Sequence, residues 1–386
     1  MRPGRGYDVV VVGAGIVGAA CAYYLARAGL AVAVAERGTV ASGTTGSGEG
    51  NILISDKEPG PELDLARLSH GLWRELAAEL GPGAELEHKG GLVVAGTPEQ
   101  RAGLDRFAAA QAAAGVQTET AGPDDLRALE PHLADGLAGG VRYPEDMQVQ
   151  PMIAAALLLR RARDLGADLM FRQEVTGLAT AGGRVTGVRT AAGLVSAGLV
   201  VNAAGPWAGE LAARAGAPLP VLPRRGFIVV TEALPRLIRH KVYTADYVAN
   251  VASGSAGLEL STVIEGTASG TVLIGASRER VGFDRSPSLR VVGMLAARAA
   301  ALFPVLAEAR AIRFYRGFRP YCPDHLPVIG ADERLAGLLH ACGHEGAGIG
   351  LAPATGCLIA QLAAGQPPAL PLAPFAPGRF PEPARA

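Results

Sequence analysis

The sequence predicts an α/β fold whose two chain ends meet at one site. Three observations predict it. A β-branched run, Tyr7-Asp8-Val9-Val10-Val11-Val12, passes directly into a triplet of spaced glycines and a helical stretch. A second glycine-rich helix start, Gly343-His344-Glu345-Gly346-Ala347-Gly348-Ile349-Gly350, stands near the opposite end. Between them, short apolar runs such as Phe227-Ile228-Val229-Val230 and Thr271-Val272-Leu273-Ile274 alternate with turn residues, as strands do.

Taken in order, the first run is short enough for a buried parallel strand. Gly13-Ala14-Gly15-Ile16-Val17-Gly18 follows, then a helix from about Ile16 to Ala28 that closes at Gly29. A second strand, Ala31 to Ala35, ends in Glu36, which stands 23 residues after Gly13. Strand, glycine spacing, helix and acid together make the dinucleotide-binding fingerprint. Gly13 allows the sharp turn, Gly15 lets the backbone approach a pyrophosphate, and Gly18 lets helix pack on strand. Free N–H groups and the helix dipole then face the phosphates, while the Glu36 carboxylate accepts from ribose hydroxyls. Further along, Ile153 to Leu165 reads as a helix ending at Gly166, and Gly177 to Val201 as a β-meander. Leu338 to Ala341 is a short strand before the second glycine turn, whose helix runs to about Leu362. From Pro367 the chain reads as an irregular tail.

Composition excludes several classes. The 386 residues, 49% hydrophobic and 19% charged, rule out global disorder and allow two or three domains. Lys+Arg and Asp+Glu are both 36, so the basic excess of a non-specific nucleic-acid binder is absent. Cys21, Cys322, Cys342 and Cys357 form no C-x-x-C pair and no zinc spacing, so no metal is expected. Few cysteines and no visible secretory signal indicate a reducing, cytoplasmic setting. Val9 to Ala26 is 18 residues without a charge, the length of a membrane span, but Gly13, Gly15 and Gly18 divide it into strand, turn and helix.

The fingerprint alone does not separate NAD from FAD. The second glycine turn does, because a helix N-terminus there can stabilise negative charge on a reduced flavin ring. With Phe318-Arg319-Pro320, Cys322-Pro323-Asp324, Leu326-Pro327-Val328-Ile329-Gly330, Ala41-Ser42-Gly43-Thr44-Thr45-Gly46 and Val201-Asn202-Ala203-Ala204-Gly205-Pro206-Trp207, the chain resembles the D-amino-acid-oxidase-like (DAO) FAD oxidoreductases over nearly its whole length. Gly48 to Lys57 and Val272 to Glu279 are similar to flavin subunits of D-hydroxyproline dehydrogenase, opine oxidase and hydrogen cyanide synthase. The resemblance implies a Rossmann-like, glutathione-reductase-type FAD-binding domain (1–85, 146–218 and 315–372). This is interleaved with an α+β substrate domain carrying a large mixed β-sheet (86–145 and 219–314), before the tail at 373–386. It assigns to the cofactor Gly13, Gly15, Ile16, Val17, Gly18, Glu36, Arg37, Ser42, Gly43, Thr44, Thr45 and Gly46 from the first segment. Gly50, Asn51, Ile52, Val175, Ala203, Ala204, Gly205 and Trp207 follow, with Gly346, Ala347, Gly348, Ile349 and Gly350 at the far end.

The implied reaction is oxidation of an amine C–H bond, with hydride passing to flavin N5; no strong protein base is obligatory if the amine binds neutral. An arginine fork is the natural partner of a substrate carboxylate, and Arg319, in what looks like the family's G-x-R-P motif, is the first choice ahead of Arg316 and Arg313. His344 stands where the C-terminal loop meets the flavin. Tyr243 and Tyr247 either hydrogen-bond the substrate or pack; Arg224 and Arg225 line the site or support a turn. Leu273 takes the place of the oxygen-activating lysine of monomeric sarcosine oxidases, and the cysteine that binds flavin in those enzymes falls near Gly317 here. The implied protein is therefore a dehydrogenase with non-covalent FAD. It would act on a small amino or imino acid and pass electrons to an iron–sulfur or second flavoprotein subunit. A stand-alone oxidase, a non-catalytic flavoprotein subunit and an NAD dehydrogenase are the competing readings.

Overall fold

A computed structural model describes residues 6–251 and 253–380; residues 1–5 of the expected first segment and 381–386 of the expected tail lie outside the described residues. Strand β1 (Tyr7–Val12), helix α1 (Ile16–Arg27) and strand β2 (Val32–Glu36) form a parallel βαβ unit, with Val10 opposite Ala33. On the other side of β1 lies Gly193–Asn202, and beyond it Leu338–Cys342, both parallel. Asp168–Phe171 adds to β2, and antiparallel Val328–Ala331 closes the far edge. Val9, Val10 and Val11 are fully buried because helices and the meander Val175–Ala181, Arg184–Thr190 and Gly193–Asn202 cover the two faces. That is why β1 is a continuous apolar run and does not alternate.

The charge-free stretch is thus split as its glycines require, and among the described residues no helix is long and apolar enough to cross a membrane. Helix α1 packs on Gly348–Ala363, so the first and last long helices are neighbours. The contact works because both faces are small. Ala19, Ala20 and Ala22 are buried, and a Cβ on Gly356 would sit 2.6 Å from the Ala20 backbone. A large side chain at Gly356 would force the helices apart, since close-packed interiors have no room for it.

The second sheet has eight strands in the order Ala311–Tyr321, Leu222–Thr231, Val272–Arg278, Glu259–Gly266, Lys241–Thr244, Gly91–Ala95, Gly139–Tyr143 and Glu119–Ala121. It is mixed, because Lys241–Thr244 runs parallel to Gly91–Ala95. Ala311–Tyr321 passes through the expected boundary at 315 while paired continuously with Leu222–Thr231, from Leu222↔Tyr321 to Val230↔Arg313. One face carries Phe227, Val229, Ile264 and Ile274 into a core covered by helix Leu289–Leu302. The alternate residues, among them Gly226, Ile228, Gly317 and Arg319, face a cavity shared with the first sheet. The expected irregular tail is two single 3-10 turns, Ala373–Phe375 and Pro377–Arg379, anchored by buried Phe375.

Candidate active site

The cavity holds about 1710 Å³ of empty space, its open mouth included. It begins at the glycine turn after β1. Gly13 has φ +110°, and a Cβ there would lie 2.5 Å from the Ala203 carbonyl oxygen. A Cβ on Gly18 would collide with the Gly13 carbonyl oxygen, so the helix start can lie this close to the strand only with glycine. Gly15 caps α1 without a side chain, and no acidic residue stands in the first turn. Thr45 Oγ1 accepts from the Ile16 N–H at 3.0 Å, and the remaining first-turn N–H groups have no i−4 partner inside the helix. Glu36 accepts from Ala14 N at 2.9 Å and Gly38 N at 2.7 Å, which fixes its carboxylate at the cavity wall. Beyond it Arg37 lies over the Trp207 ring, 3.6 Å from the centroid.

Gly13, Gly15, Ile16, Val17, Gly18, Glu36, Arg37, Ser42, Gly43, Thr44 and Thr45 all line this space. So do Asn51, Val175, Ala203, Ala204, Gly205, Trp207, Gly346, Gly348 and Ile349. Six expected residues do not. Gly46 packs against the Ala41 carbonyl and Met152, and Gly50 against the Val149 carbonyl. Ile52 turns its side chain into the first core. Ala347 and Gly350 line a smaller neighbouring hollow with Asp56 and Lys57. Tyr243 is fully buried and its hydroxyl is bonded to Ser55, itself bonded to Asp146, so no substrate in the main cavity reaches it; only Tyr247 of the two tyrosines faces the cavity.

At the far end, Arg319 rests over Gly226, where a Cβ would strike its guanidinium, and donates to the Ser277 carbonyl at 2.8 Å. Among the described residues no carboxylate lies within ion-pair distance of it. Burial, and then the neighbouring Arg278, hold its pKa below the usual arginine range. A partly desolvated guanidinium with open donors is a receptor for a carboxylate. His344 is buried and pairs through Nε2 with Thr355 Oγ1 at 2.9 Å. The threonine hydroxyl donates its hydrogen to the Leu351 carbonyl, so Nε2 must donate and Nδ1 carries no proton. Burial lowers this histidine to about 3, which keeps it neutral. Arg224 sits in an internal pair with Glu345 at 2.6 Å and Glu259 at 2.9 Å, and Arg225 with Glu279 at 2.8 Å and Asp284 at 2.6 Å, so both support the turn.

Two buried residues at or beside the cavity escape the sequence reading, one behind Tyr247 and one in the cavity wall. Arg278 is buried, lies 5.3 Å from the Tyr247 centroid and bonds to the Asn250 carbonyl. Glu49 lines the cavity and is buried, with Oε1 lacking a hydrogen-bond partner among the described residues. The available signal was an acid bracketed by glycines in Gly48-Glu49-Gly50, a residue type that a cavity wall does not need for packing.

A flavin dinucleotide fits these residues on the structure's own terms. One cavity is lined by both glycine-rich helix starts, and at Gly13 and Gly18 a Cβ would strike backbone and push the turn open. Trp73 Nε1 bonds to the carbonyls of Ile349 and Gly350, and Ser69 to Gly350, which fixes the second helix start. Comparison with known proteins agrees. A family model described as DAO, FAD dependent oxidoreductase, matches residues 8–362. The chain is 32% identical to hydrogen cyanide synthase subunit HcnC of Pseudomonas aeruginosa, covering 98% of each chain. It superposes on the crystal structure of glycine oxidase from Geobacillus kaustophilus with a TM-score of 0.89 at 32% identity, covering 97% of this chain and 99% of that one. For L-proline dehydrogenase from P. horikoshii the TM-score is 0.88 at 26% identity, over 97% and 98%. From the motifs, the cavity and these likenesses together, the chain belongs to the DAO family of FAD-dependent oxidoreductases.

Proposed function

We propose that this enzyme oxidises the C–N bond of a small amino or imino acid, of the D-proline, D-hydroxyproline, opine or glycine kind, and passes the electrons to a partner protein. The observation that carries the reading is Arg319, a guanidinium with no ion-pair partner among the described residues, at the end of a cavity whose other end is a glycine turn suited to phosphate. FAD, when bound, supplies the hydride acceptor at N5. The residues from Gly13 to Gly18 and Glu36 would hold its phosphates and ribose, and Gly346 and Gly348 would face its ring. Arg319 orients the substrate by its carboxylate, and neutral His344 adds no competing charge.

Non-covalent attachment is supported by the cysteines. Cys322 is buried outside the cavity and burial raises its thiol to about 12, so no reactive thiolate is available there. The dehydrogenase reading is supported by Leu273, and the partner by the relative that is itself a synthase subunit. The glycine oxidase likeness favours a second reading, a stand-alone oxidase that makes hydrogen peroxide. Anaerobic titration of the FAD-loaded protein with glycine, sarcosine and D-proline should bleach the yellow absorbance, and oxygen uptake by the isolated chain separates oxidase from dehydrogenase. Arg319→Ala should keep its flavin and lose about 2–3 kcal/mol of carboxylate binding, roughly 30- to 150-fold. Normal bleaching of that variant would remove Arg319 from its role, and bleaching by no amine or imino acid would leave a non-catalytic flavoprotein.

A further inference from the structure

We propose that Glu49 is the amine-side group of the substrate site: it faces the nitrogen of a substrate whose carboxylate Arg319 takes, and it accepts the proton that the ammonium must lose. The inference rests on the functional reading above and narrows it to substrates with a nitrogen beside the carboxylate, excluding α-hydroxy acids. Three features of the sheet carry it. Arg319 and Glu49 occupy matching seats, since a Cβ on Gly226 would strike the Arg319 guanidinium and a Cβ on Gly275 would lie 2.5 Å from Glu49 Oε1. The two glycines belong to adjacent antiparallel strands, and Ile228 is the neighbour of Gly275 in that register. The seats are therefore offset by two residues, about 7 Å along the strands. That distance suits a small zwitterion held at both ends.

The second feature is the surplus of carboxylate behind the cavity. Lys241 bonds to Glu265 at 2.5 Å and stands 3.9 Å from Glu49 Oε1. Glu265 also accepts the Gly50 N–H at 3.0 Å, while Glu49 has only Asn51 Nδ2 at 3.4 Å on its Oε2. One buried ammonium is thus committed to Glu265, and among the described residues Oε1 of Glu49, a side chain that lines the cavity, is left without a hydrogen-bond partner. Third, the surroundings make Glu49 a proton acceptor of adjustable strength. Burial raises its pKa; Lys241 and Arg319 lower it, and Glu265 raises it. The phenols of Tyr247 and Tyr315 feel its charge from the remaining sides, and Lys89 faces Glu265 from behind. Desolvation of this kind brings a carboxyl toward the range where it can exchange protons with an amine.

The step is a proton transfer. An N–H bond of the substrate ammonium breaks, an O–H bond forms on Glu49 Oε1, and the N–H electron pair stays on nitrogen as the lone pair that later becomes the second C–N bond. No redox change occurs in it; the oxidant of the following step is FAD.

The test uses the FAD-loaded protein and two readouts. The first is binding, followed by the shift of the flavin spectrum, of α-aminoisobutyrate and 2-methylproline, which have no α-hydrogen to lose, each against its counterpart lacking nitrogen. The wild type should prefer the amino ligands by at least about tenfold, and Glu49→Gln should lose that preference while binding the deamino acids as before. The second is the anaerobic reduction rate against pH. Glu49→Gln should be slower by about 100-fold or more near neutrality and recover as pH rises and the amine deprotonates by itself. An unchanged rate and pH profile in Glu49→Gln would overturn the proposal and leave the functional reading standing. If the variant loses FAD or fails to fold, the wild-type binding comparison decides: equal affinity for amino and deamino ligands overturns the assignment of Glu49, and a tenfold preference supports it. A wild type that binds neither ligand pair and is bleached by no amino or imino acid overturns the functional reading itself, and Glu49 with it.

Discussion

The two ends of the cavity are built from different materials. At the nucleotide end the working surface is backbone: glycines that clear space, N–H groups of a helix start, and one carboxylate, Glu36, held by backbone donors. At the ring end the working surface is side chain. Arg319, Tyr247, His344 and Glu49 come from a strand, a short helix, a loop and a turn spread over some three hundred residues. A backbone site tolerates no added atom and is indifferent to protonation, whereas a side-chain site tolerates reshaping and responds to pH.

The sharpest way to break this contrast is Gly18→Ala. Its Cβ would fall on the Gly13 carbonyl, backbone that cannot give way, so we expect a loss of about 3 kcal/mol and failure to retain FAD, read by thermal unfolding and by flavin content of the purified protein. A variant that keeps its flavin at wild-type stability would show that this end is not the rigid one. The contrast is sharpened by titrating the other end. His344 has its folded pKa depressed by burial to about 3, below the ordinary 6.5, so the unfolded chain binds one more proton between these values. Its contribution to stability is complete above pH 6.5 and is lost as pH falls toward 3. His344→Gln keeps a donor for Thr355, and its stability should fall less steeply with acid, by up to about 1.4 kcal/mol per pH unit in that window. Identical slopes in urea titrations at pH 6.5 and pH 4.5 would refute this. The smallest effect should come from Arg37→Ala. Arg37 is solvent-exposed, and its stacking on Trp207 is of the order of 0.5–1 kcal/mol, so FAD affinity should drop only about two- to fivefold.

The same contrast explains what could be read from the residues in advance. The nucleotide end is written locally: Gly13, Gly15, Gly18 and Glu36 lie within one βαβ unit, and each has a steric or electrostatic reason to be the type it is. The fold class followed from that unit and from the second glycine turn. Arg319 stands out in the sequence because its motif is local too, and the fold places it in the cavity wall. Of the two roles open to Tyr243, the structure shows packing off the cavity, because its hydroxyl is held by Ser55, and through it by Asp146, partners that no spacing reveals. Gly50 and Ile52 lie outside the cavity lining for a related reason: a motif shows that glycine is required and does not show which neighbour requires it, here the Val149 carbonyl. Glu49 and Arg278 went unnoticed because their environment is made by strands far apart in sequence, where only pairing register brings Gly275 beneath one and Tyr247 beside the other.

The contact at Gly356 reaches into the life of the chain during synthesis. The small-residue face of α1 and the surface that covers it stand more than three hundred residues apart in the sequence. Until Gly348–Ala363 emerges, the nucleotide-binding turn has neither its lid helix nor the neighbouring Leu338–Cys342 strand. Until that helix is made the cavity has only one of its two glycine-lined ends, and long-range closure of this sort is slow. Assembly of the cavity therefore depends on a contact between two segments that cannot meet until all of the sequence between them has been made.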